Sequence, residues 1–528
     1  MAPSPSADSG RLVRDVPPAN TAAHRRTRAA RSPRWFAALA ALCIAVSVII
    51  LIVIGFAGPS ITEPRVPSAS PWPPFFAMAN PSVGLISYAG WAAVLVGAIG
   101  VASGLAAVAR GWRPRPRLLL AASLIGVVLL MLSPPIGSSD AKDDAVYGRI
   151  AALGHSPYAY TPLQLKQTGD PVGQFAVKRW QRDTSPYGPL ATVTQMAASK
   201  LGGASISRTM FWIKVWNALA FLAIALALDW FFRRDAAGRA RAHLLWTVNP
   251  LMLLASMSGG HNDVIGMALG VLAVLAFRRL DFRCGLAAGL LAGLAIGVKA
   301  PLALLGLGLA IAAIRSPRAL AGLGLGAAAV IVPTYGLAGI QSVKSVIAQS
   351  SGRFNTYQPW LLLSDVAHRF QASAVTDASV AATLITACLL LWKLPAGLPG
   401  LPAVRPVLAL ILAFLIWSPE QRAWYDVMIF PLLALMPMSR LDWIAIARAA
   451  AGAIGQLPAN TIAPKVPPPW LSHLERVLEH GVVPAVLVGL ALVLLVLCLT
   501  GHIQPRRRRP GRGDVSARPG PLPAAAPG

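Results

Sequence analysis

Charged residues are scarce in this chain of 528 residues. They make up 13% of it, about half of the roughly 25% that is typical of soluble domains. Hydrophobic residues make up 55%. This balance excludes an ordinary soluble domain and favours a protein that crosses a membrane several times. No stretch alternates apolar and polar residues in the way of an outer-membrane barrel strand, so the apolar runs predict helices.

Cysteine is also rare, and its four positions lie in or beside apolar runs: Cys43, Cys284, Cys388 and Cys498. Their spacing fits no metal site, and none lies in an outward-facing connection, so we expect no disulfide. The sequence also lacks the P-loop, the GxSxG nucleophile motif and the HExxH zinc motif. These absences argue against ATP-driven transport and metalloprotease chemistry.

Apolar runs long enough to cross about 30 Å of hydrocarbon recur along the chain. They lie at 35–56, 83–109, 117–137, 209–232, 243–259, 263–278, 283–298, 300–314, 318–338, 376–392, 404–417, 427–439, 443–456 and 480–500. Several are short or interrupted by glycine and proline, so the sequence predicts an all-α polytopic bundle of roughly 12 to 14 transmembrane helices. We expect the bundle at 35–500, with an extracytoplasmic loop region at 138–205, between disordered basic cytoplasmic tails at 1–34 and 501–528.

Acidic residues are few, 20 against 47 Lys and Arg, which gives a formal net charge of +27. The basic residues cluster beside the predicted spans on alternate connections, which follows the positive-inside rule and does not indicate a nucleic-acid partner. Both termini are therefore predicted to be cytoplasmic, in a multi-pass protein of the plasma membrane. Most acidic residues then fall in outward-facing connections, so we expect the polar chemistry on the extracytoplasmic face.

Short polar or aromatic clusters gather in these outward-facing connections. They are SSDAKDDAVYGRIAALGHSPY (138–158), WQRDTSPYGPL (180–190), SGGHNDV (258–264), GVKAP (297–301), SGRFNTYQPWL (351–361) and WSPEQRAWYDV (417–427). Each cluster has an ordinary explanation: an outer loop is polar, Asn262 and Asp263 are common helix caps, and Lys299 is able to extend to the membrane interface. Their gathering on one side nevertheless predicts a single pocket at the outer leaflet.

Such a pocket has the side chains for glycosyl transfer. Carboxylates accept a proton from a hydroxyl group, and Lys299 with nearby Arg or His holds an anionic headgroup. The rings of Trp424 and Tyr425 suit the apolar face of a sugar. The combination fits transfer from a lipid-linked phosphate sugar.

Five motifs follow one another in a single order between about residues 130 and 430. They are Asp140 with Gly148, Gly154, Pro157 and Tyr158; Pro186, Tyr187, Gly188 and Pro189; Asn249, Pro250 and Leu251 with Gly259, His261, Asn262 and Asp263; Val298, Lys299 and Ala300; and Trp424 with Tyr425. Together they resemble the polyprenyl-phosphate-mannose-dependent α-1,6-mannosyltransferases of actinobacteria, which are GT-C membrane glycosyltransferases. The chain departs from that pattern directly after Asp140, where Ala141, Lys142, Asp143 and Asp144 replace aromatic residues.

The resemblance implies a GT-C type bundle and inverting transfer of mannose from polyprenyl-phosphate-mannose to a hydroxyl group of an envelope glycan. The acceptor would be a lipomannan or lipoarabinomannan-type α-1,6-mannan. It implies Asp140 as the general base, Asp143 and Asp144 as substitutes or acceptor contacts, and Lys299 and His261 as donor phosphate ligands. The sugar and acceptor contacts would be Asn262, Asp263, Tyr158, Tyr187, Trp424 and Tyr425. No cofactor or metal is expected, because the leaving group is already a phosphate diester.

Two other interpretations stay open at this point. The first is a transporter or flippase for a lipid-linked sugar, which would use ionisable residues near the membrane midplane. The second is a non-catalytic partner in envelope glycan assembly, which the departure at 141–144 keeps open. The donor sugar also stays open between mannose, arabinose and glucose.

Overall fold

The computed structural model describes residues 33–504, apart from 64, 351–358, 364–371, 421 and 459–466. Across this part of the chain the regular structure is helical, and no β-strand occurs. Both tails predicted from the sequence lie outside the described residues, except for their innermost few positions. The prediction of an all-α polytopic membrane protein is confirmed.

The α-helices of the described part are, in chain order, α1 (Pro33–Ala57), α2 (Val83–Ala109), α3 (Pro116–Leu132), α4 (Asp140–Ala152), α5 (Pro162–Gln167), α6 (Pro189–Gly202), α7 (Ile206–Phe231), α8 (Ala236–Ala242), α9 (Pro250–Leu253), α10 (Asp263–Ala276), α11 (Phe282–Val298), α12 (Ala303–Ala313), α13 (Pro317–Ala338), α14 (Ile340–Ser350), α15 (Ala372–Lys393), α16 (Val404–Trp417), α17 (Phe430–Ala434), α18 (Leu441–Gln456), α19 (Pro469–Val477) and α20 (Val483–Leu499). Short 3₁₀ segments lie at Gly173–Phe175, Ala300–Leu302, Pro359–Leu363 and Ala423–Met428, and π-helical turns lie at His243–Thr247, Leu254–Ser258 and Leu478–Val482.

Six helical stretches within the described residues are long and apolar enough to cross a membrane: α1, α2, α7, α13, α15 and the continuous stretch Pro469–Leu499. Pro250–Ser258 and α10 make a seventh when counted as one span, although they are bent by 119° relative to each other. Each apolar run predicted from the sequence overlaps a helix. The predicted total of 12 to 14 exceeds the number of long helices because several runs form shorter apolar helices, such as α11, α12 and α16.

Helices α11 and α13 pack with their backbones in contact. An added Cβ at Gly289 of α11 would lie 2.2 Å from the carbonyl oxygen of Leu323, and one at Gly326 of α13 would lie 2.3 Å from that of Leu286. Glycines spaced four residues apart on both helices leave room for this approach, as in other membrane helix pairs. The close packing fixes the end of α11, directly before Lys299.

Substitutions at two glycines of α13 distinguish the effect of helix packing on stability from the effect of intrinsic helix propensity. Alanine gains about 1 kcal/mol over glycine inside any helix. At Gly324 an added Cβ meets no atom within 4 Å, whereas at Gly326 it meets the backbone of α11. We expect Gly326→Ala to lose stability by about 1–3 kcal/mol through overpacking and Gly324→Ala to keep or gain stability. Thermal unfolding in detergent measures both, and equal melting temperatures would contradict backbone contact.

Candidate active site

Helix α4 carries the three aspartates and follows a sharp break in the chain. α3 ends at Leu132, and the turn after it contains two prolines and Gly137, whose φ of +77° favours glycine. α4 then begins at Asp140, so Asp140 and Asp143 lie in its first turn, where the helix dipole favours negative charge. The side chain of Asp140 is 25% exposed, whereas Asp143 and Asp144 are 6% and 1% exposed.

A glycine holds α4 tightly against α6. An added Cβ at Gly148 would lie 2.3 Å from the carbonyl oxygen of Gln195, so only glycine fits there. The side-chain Nε2 of Gln195 also donates a hydrogen bond to Oδ1 of Asp144 at 2.8 Å. The hydroxyl group of Tyr187 is a further hydrogen-bond partner of Asp144. Asp144 is thus held inside the protein by neighbours, and it does not line the cleft described below.

The Pro-Tyr-Gly-Pro turn docks on the end of α11. The backbone N–H of Gly188 donates to the carbonyl oxygen of Val298 at 3.0 Å, and an added Cβ at Gly188 would lie 2.3 Å from the carbonyl oxygen of Gly297. Lys299 follows Val298 directly, so its Nζ comes to 6.0 Å from the ring centroid of Tyr187. Two motifs that are far apart in the sequence therefore meet through one backbone contact.

Lys299 forms a buried ion pair with Asp263 at the start of α10. Its Nζ donates to the two carboxylate oxygens of Asp263 at 2.8 and 3.0 Å, and lies 4.3 Å from the ring centroid of Tyr425. Asp263, which the sequence predicted as a sugar contact, does not line the cleft and serves as the counter-ion of Lys299. Lys299 itself still lines the cleft.

One open cleft brings many of the predicted residues together. The predicted site residues that line it are Asp140, Asp143, Tyr187, Lys299, Trp424 and Tyr425. Those that lie outside its wall are Asp144, Tyr158, His261, Asn262 and Asp263. Among the described residues no three His, Cys, Asp or Glu side chains are arranged to hold a metal ion. The expectation of metal-independent chemistry stays a prediction.

The residues outside the wall support those that line it. His261 is buried and stacks on Trp424 with ring centroids 3.8 Å apart, while its Nε2 lies 3.8 Å from Oδ2 of Asp140. The Tyr158 hydroxyl pairs with that of Thr192 at 2.8 Å. Asn262 is buried, and neither polar side-chain atom has a hydrogen-bond partner among the described residues.

The cleft also contains polar and aromatic residues that the sequence did not single out as site residues: Tyr147, Trp180, Asp183, Thr184, Glu420 and Arg422. Arg422 adds a guanidinium group to the ammonium group of Lys299, and its Cζ lies 5.7 Å from the ring centroid of Trp424. Its position two residues before Trp424, in a cluster already recognised as polar, was the available signal. Trp180 opens the second predicted cluster but matches no family motif. The Trp360 of the fifth cluster donates instead to the carbonyl oxygen of Trp417 at 2.7 Å, and 351–358 lie outside the described residues.

The three aspartates differ in burial, and burial changes the pKa of two of them. Loss of water raises the pKa of Asp143 and of Asp144 well above the ordinary value, and the nearby charge of Asp140 raises both pKa values further. The two deep carboxyl groups therefore keep a proton at a pH where an ordinary aspartate is ionised. Asp140 is the member of the group with the most exposed side chain, and it lines the cleft.

This division makes stability depend on pH. A carboxyl group with a raised folded-state pKa binds protons better when folded, so stability declines as the pH rises through the window above the unfolded pKa of about 3.9. We expect the wild-type melting temperature to fall between about pH 5 and pH 8, and Asp143→Asn/Asp144→Asn to show a shallower fall. Thermal unfolding in detergent at several pH values between about 5 and 8 measures how the melting temperature depends on pH. The exposed Asp377→Asn is the control, and a double variant with the wild-type slope would contradict the effect of burial.

Comparison with known proteins identifies relatives of this chain. The family described as "Alpha-(1->6)-mannopyranosyltransferase, N-terminal domain" matches residues 34–315, more than half of the chain. The chain is 26% identical over 152 residues to Alpha-(1->6)-mannopyranosyltransferase B of Corynebacterium glutamicum, and 25% identical over 153 residues to an Alpha-(1->6)-mannopyranosyltransferase of Mycobacterium tuberculosis. These alignments cover 28% and 29% of this chain, and only 25% and 26% of the two relatives.

Proposed function

Because the chain belongs to the alpha-(1->6)-mannopyranosyltransferase family, we propose that it transfers mannose from polyprenyl-phosphate-mannose to a hydroxyl group of an envelope glycan. The observation that carries this proposal is the cleft itself. It has the partly exposed carboxylate of Asp140 in one wall and the cationic groups of Lys299 and Arg422 in another. A base for an alcohol and a counter-charge for a phosphate are the two groups that such a transfer requires.

The reaction is a single displacement with inversion at the sugar. The acceptor oxygen forms a bond to the anomeric carbon, and the bond from that carbon to the phosphate oxygen breaks with its electron pair. Asp140 takes the proton of the acceptor hydroxyl group, a role typically worth about 10²–10⁴-fold in rate. Lys299 and Arg422 stabilise the charge that develops on the departing phosphate, Arg422 with a planar fork of donors.

Aromatic rings on both sides of the cleft suit the two sugars. Trp424 and Tyr425 meet edge to face, with ring centroids 6.3 Å apart, next to the cationic groups. They therefore suit the donor sugar. Tyr147 of α4 lines the cleft together with Trp180 and Asp183 of the segment before α6, and we assign this part to the acceptor. Tyr147 is fixed there by its hydroxyl group, which donates to the carbonyl oxygen of Asp183 at 3.0 Å.

The proposal also covers the membrane face on which the reaction occurs, the sugar donor and the acceptor. The charge pattern of the connections supports a cleft on the extracytoplasmic face of the plasma membrane, where no nucleotide sugar is supplied. A lipid-linked phosphate sugar is the donor form suited to that face, and a lipomannan or lipoarabinomannan-type α-1,6-mannan is the acceptor. The bilayer holds both the enzyme and the lipid of the donor.

Removal of the proposed base is the first test. Membranes that contain the wild type or Asp140→Asn receive radiolabelled polyprenyl-phosphate-mannose and an α-1,6-oligomannoside. We expect Asp140→Asn to lower the rate of label transfer by about 10²–10⁴-fold, because asparagine keeps the shape of the side chain but accepts no proton. The exposed Asp377→Asn should transfer label at the wild-type rate.

The outcomes of this assay separate the competing functions. Undiminished transfer by Asp140→Asn would remove Asp140 from the role of base. Failure of the wild type with mannose, arabinose and glucose donors alike would reject the transferase and favour a transporter or a non-catalytic partner.

Arg422 provides the second test, on the phosphate side. We expect Arg422→Gln to raise the KM for the lipid-linked donor by about 10- to 100-fold, since a hydrogen bond to a charged group contributes about 1.5–3 kcal/mol. The matched control is Arg182→Gln, an exposed arginine that does not line the cleft. Initial rates at varied donor concentration measure the change. An unaltered donor KM in Arg422→Gln would exclude Arg422 from the phosphate site.

A further inference from the structure

His261 faces the proposed base from behind the wall of the cleft. Its side chain is 5% exposed and does not line the cleft. Its ring is held on three sides: one nitrogen contacts a backbone carbonyl, one face stacks on Trp424, and the other nitrogen points to Asp140. This arrangement differs from the phosphate contact that the sequence predicted for His261.

The hydrogen bonds of the ring define where its proton is. Nδ1 lies 2.7 Å from the carbonyl oxygen of Ala255, and because that oxygen only accepts, Nδ1 must carry the hydrogen. In the neutral ring Nε2 is then an acceptor, and it has no hydrogen-bond partner among the described residues. Its neighbour is Oδ2 of Asp140 at 3.8 Å, which is also an acceptor when ionised. Two acceptors thus face each other without a hydrogen bond between them. A proton on either atom would make the contact between them favourable.

We propose that His261 is a positioning residue that receives, through Asp140, the proton of the acceptor hydroxyl group. This inference rests on the proposed function. As the acceptor oxygen bonds to the anomeric carbon and the phosphate leaves with its electron pair, the hydroxyl proton moves to Oδ2 of Asp140. It then passes to Nε2 of His261, which gives an imidazolium ion and restores the carboxylate of Asp140. The proton returns to water through Asp140 after the products leave.

The stacked indole and the nearby carboxylates favour the charge that this step creates. A protonated imidazole stacked on the indole of Trp424 gains a cation–π interaction, here with ring centroids 3.8 Å apart and an interplanar angle of 11°. Burial lowers the pKa of His261 and so opposes its protonation, while Asp140 and Asp263 favour the positive charge and Lys299 opposes it. On the elements beyond Trp424, Asp426 and Arg448 neutralise each other in an ion pair with a 2.8 Å contact.

Substitution of His261 tests the proton step. His261→Gln places an amide at the level of Nε2, which hydrogen-bonds to Asp140 but takes no proton. His261→Asn keeps an amide donor for Ala255 and leaves the space at Nε2 empty. We expect both variants to lower kcat by about 10-fold or more while the donor KM stays within about threefold. The matched control is His155→Gln, an exposed histidine that stacks on Tyr160 away from the cleft.

The pH profile distinguishes this role from a structural one. Proton uptake by His261 contributes to the acidic limb of kcat against pH in the wild type, and this contribution is absent from His261→Gln. We therefore expect the acidic limb to become less steep and to move in both variants. Detergent-purified protein with a wild-type melting temperature ensures that the comparison concerns folded enzyme.

Each result leads to one conclusion. A raised donor KM with unchanged kcat would overturn the proton step and support the phosphate contact predicted from the sequence. A lower kcat with the wild-type shape of the pH profile would also overturn it, because His261 would then only support the fold. Failure of the wild type to transfer any label would reject the proposed function, and the proton step with it.

Discussion

The buried ion pair between Lys299 and Asp263 ties together the elements that line the cleft. Asp263 begins α10 and Lys299 follows α11, so the pair joins both helices at the level of the aspartates. The turn around Tyr187 docks next to Lys299 through Gly188, and Tyr425 lies against the ammonium group. Loss of one partner of such a pair leaves a buried charge, which typically costs about 3–5 kcal/mol. The pair therefore organises the cleft as well as supplying a cation to it.

The cleft is assembled from two parts of the chain with different relationships to known proteins. The family match over 34–315 includes the three aspartates, the turn around Tyr187, His261 and Lys299. The opposite wall, with Glu420, Arg422, Trp424 and Tyr425, lies beyond the matched range. The proposed base thus lies in the shared part, whereas the proposed donor side combines Lys299 from that part with the residues around Trp424. Differences in donor sugar between relatives are expected to arise in the second wall.

The sequence predicted the fold class and the gathering of the motifs, because hydropathy and motif order depend on residue types alone. The sequence did not predict which of the site residues line the cleft and which lie behind those that do. His261, Asn262 and Asp263 are consecutive, and none of the three lines the cleft, although His261 and Asp263 contact residues that do. Arg422 was missed because an arginine in a polar loop is usually solvated, and its place two residues before Trp424 was the one available signal. Hydropathy also did not distinguish the long helices from the shorter apolar ones, such as α11, α12 and α16.

Burial and protonation together explain how three neighbouring aspartates are tolerated on α4. Three ionised carboxylates so close together would repel one another, and two of them are almost without water. Protonation of Asp143 and Asp144 removes that repulsion, and a protonated carboxyl group fills space much as a small neutral residue does. Negative charge is then concentrated on Asp140, which faces both the cleft and the unprotonated nitrogen of His261. The departure from the family pattern therefore leaves one base in the cleft, supported by two neutral neighbours.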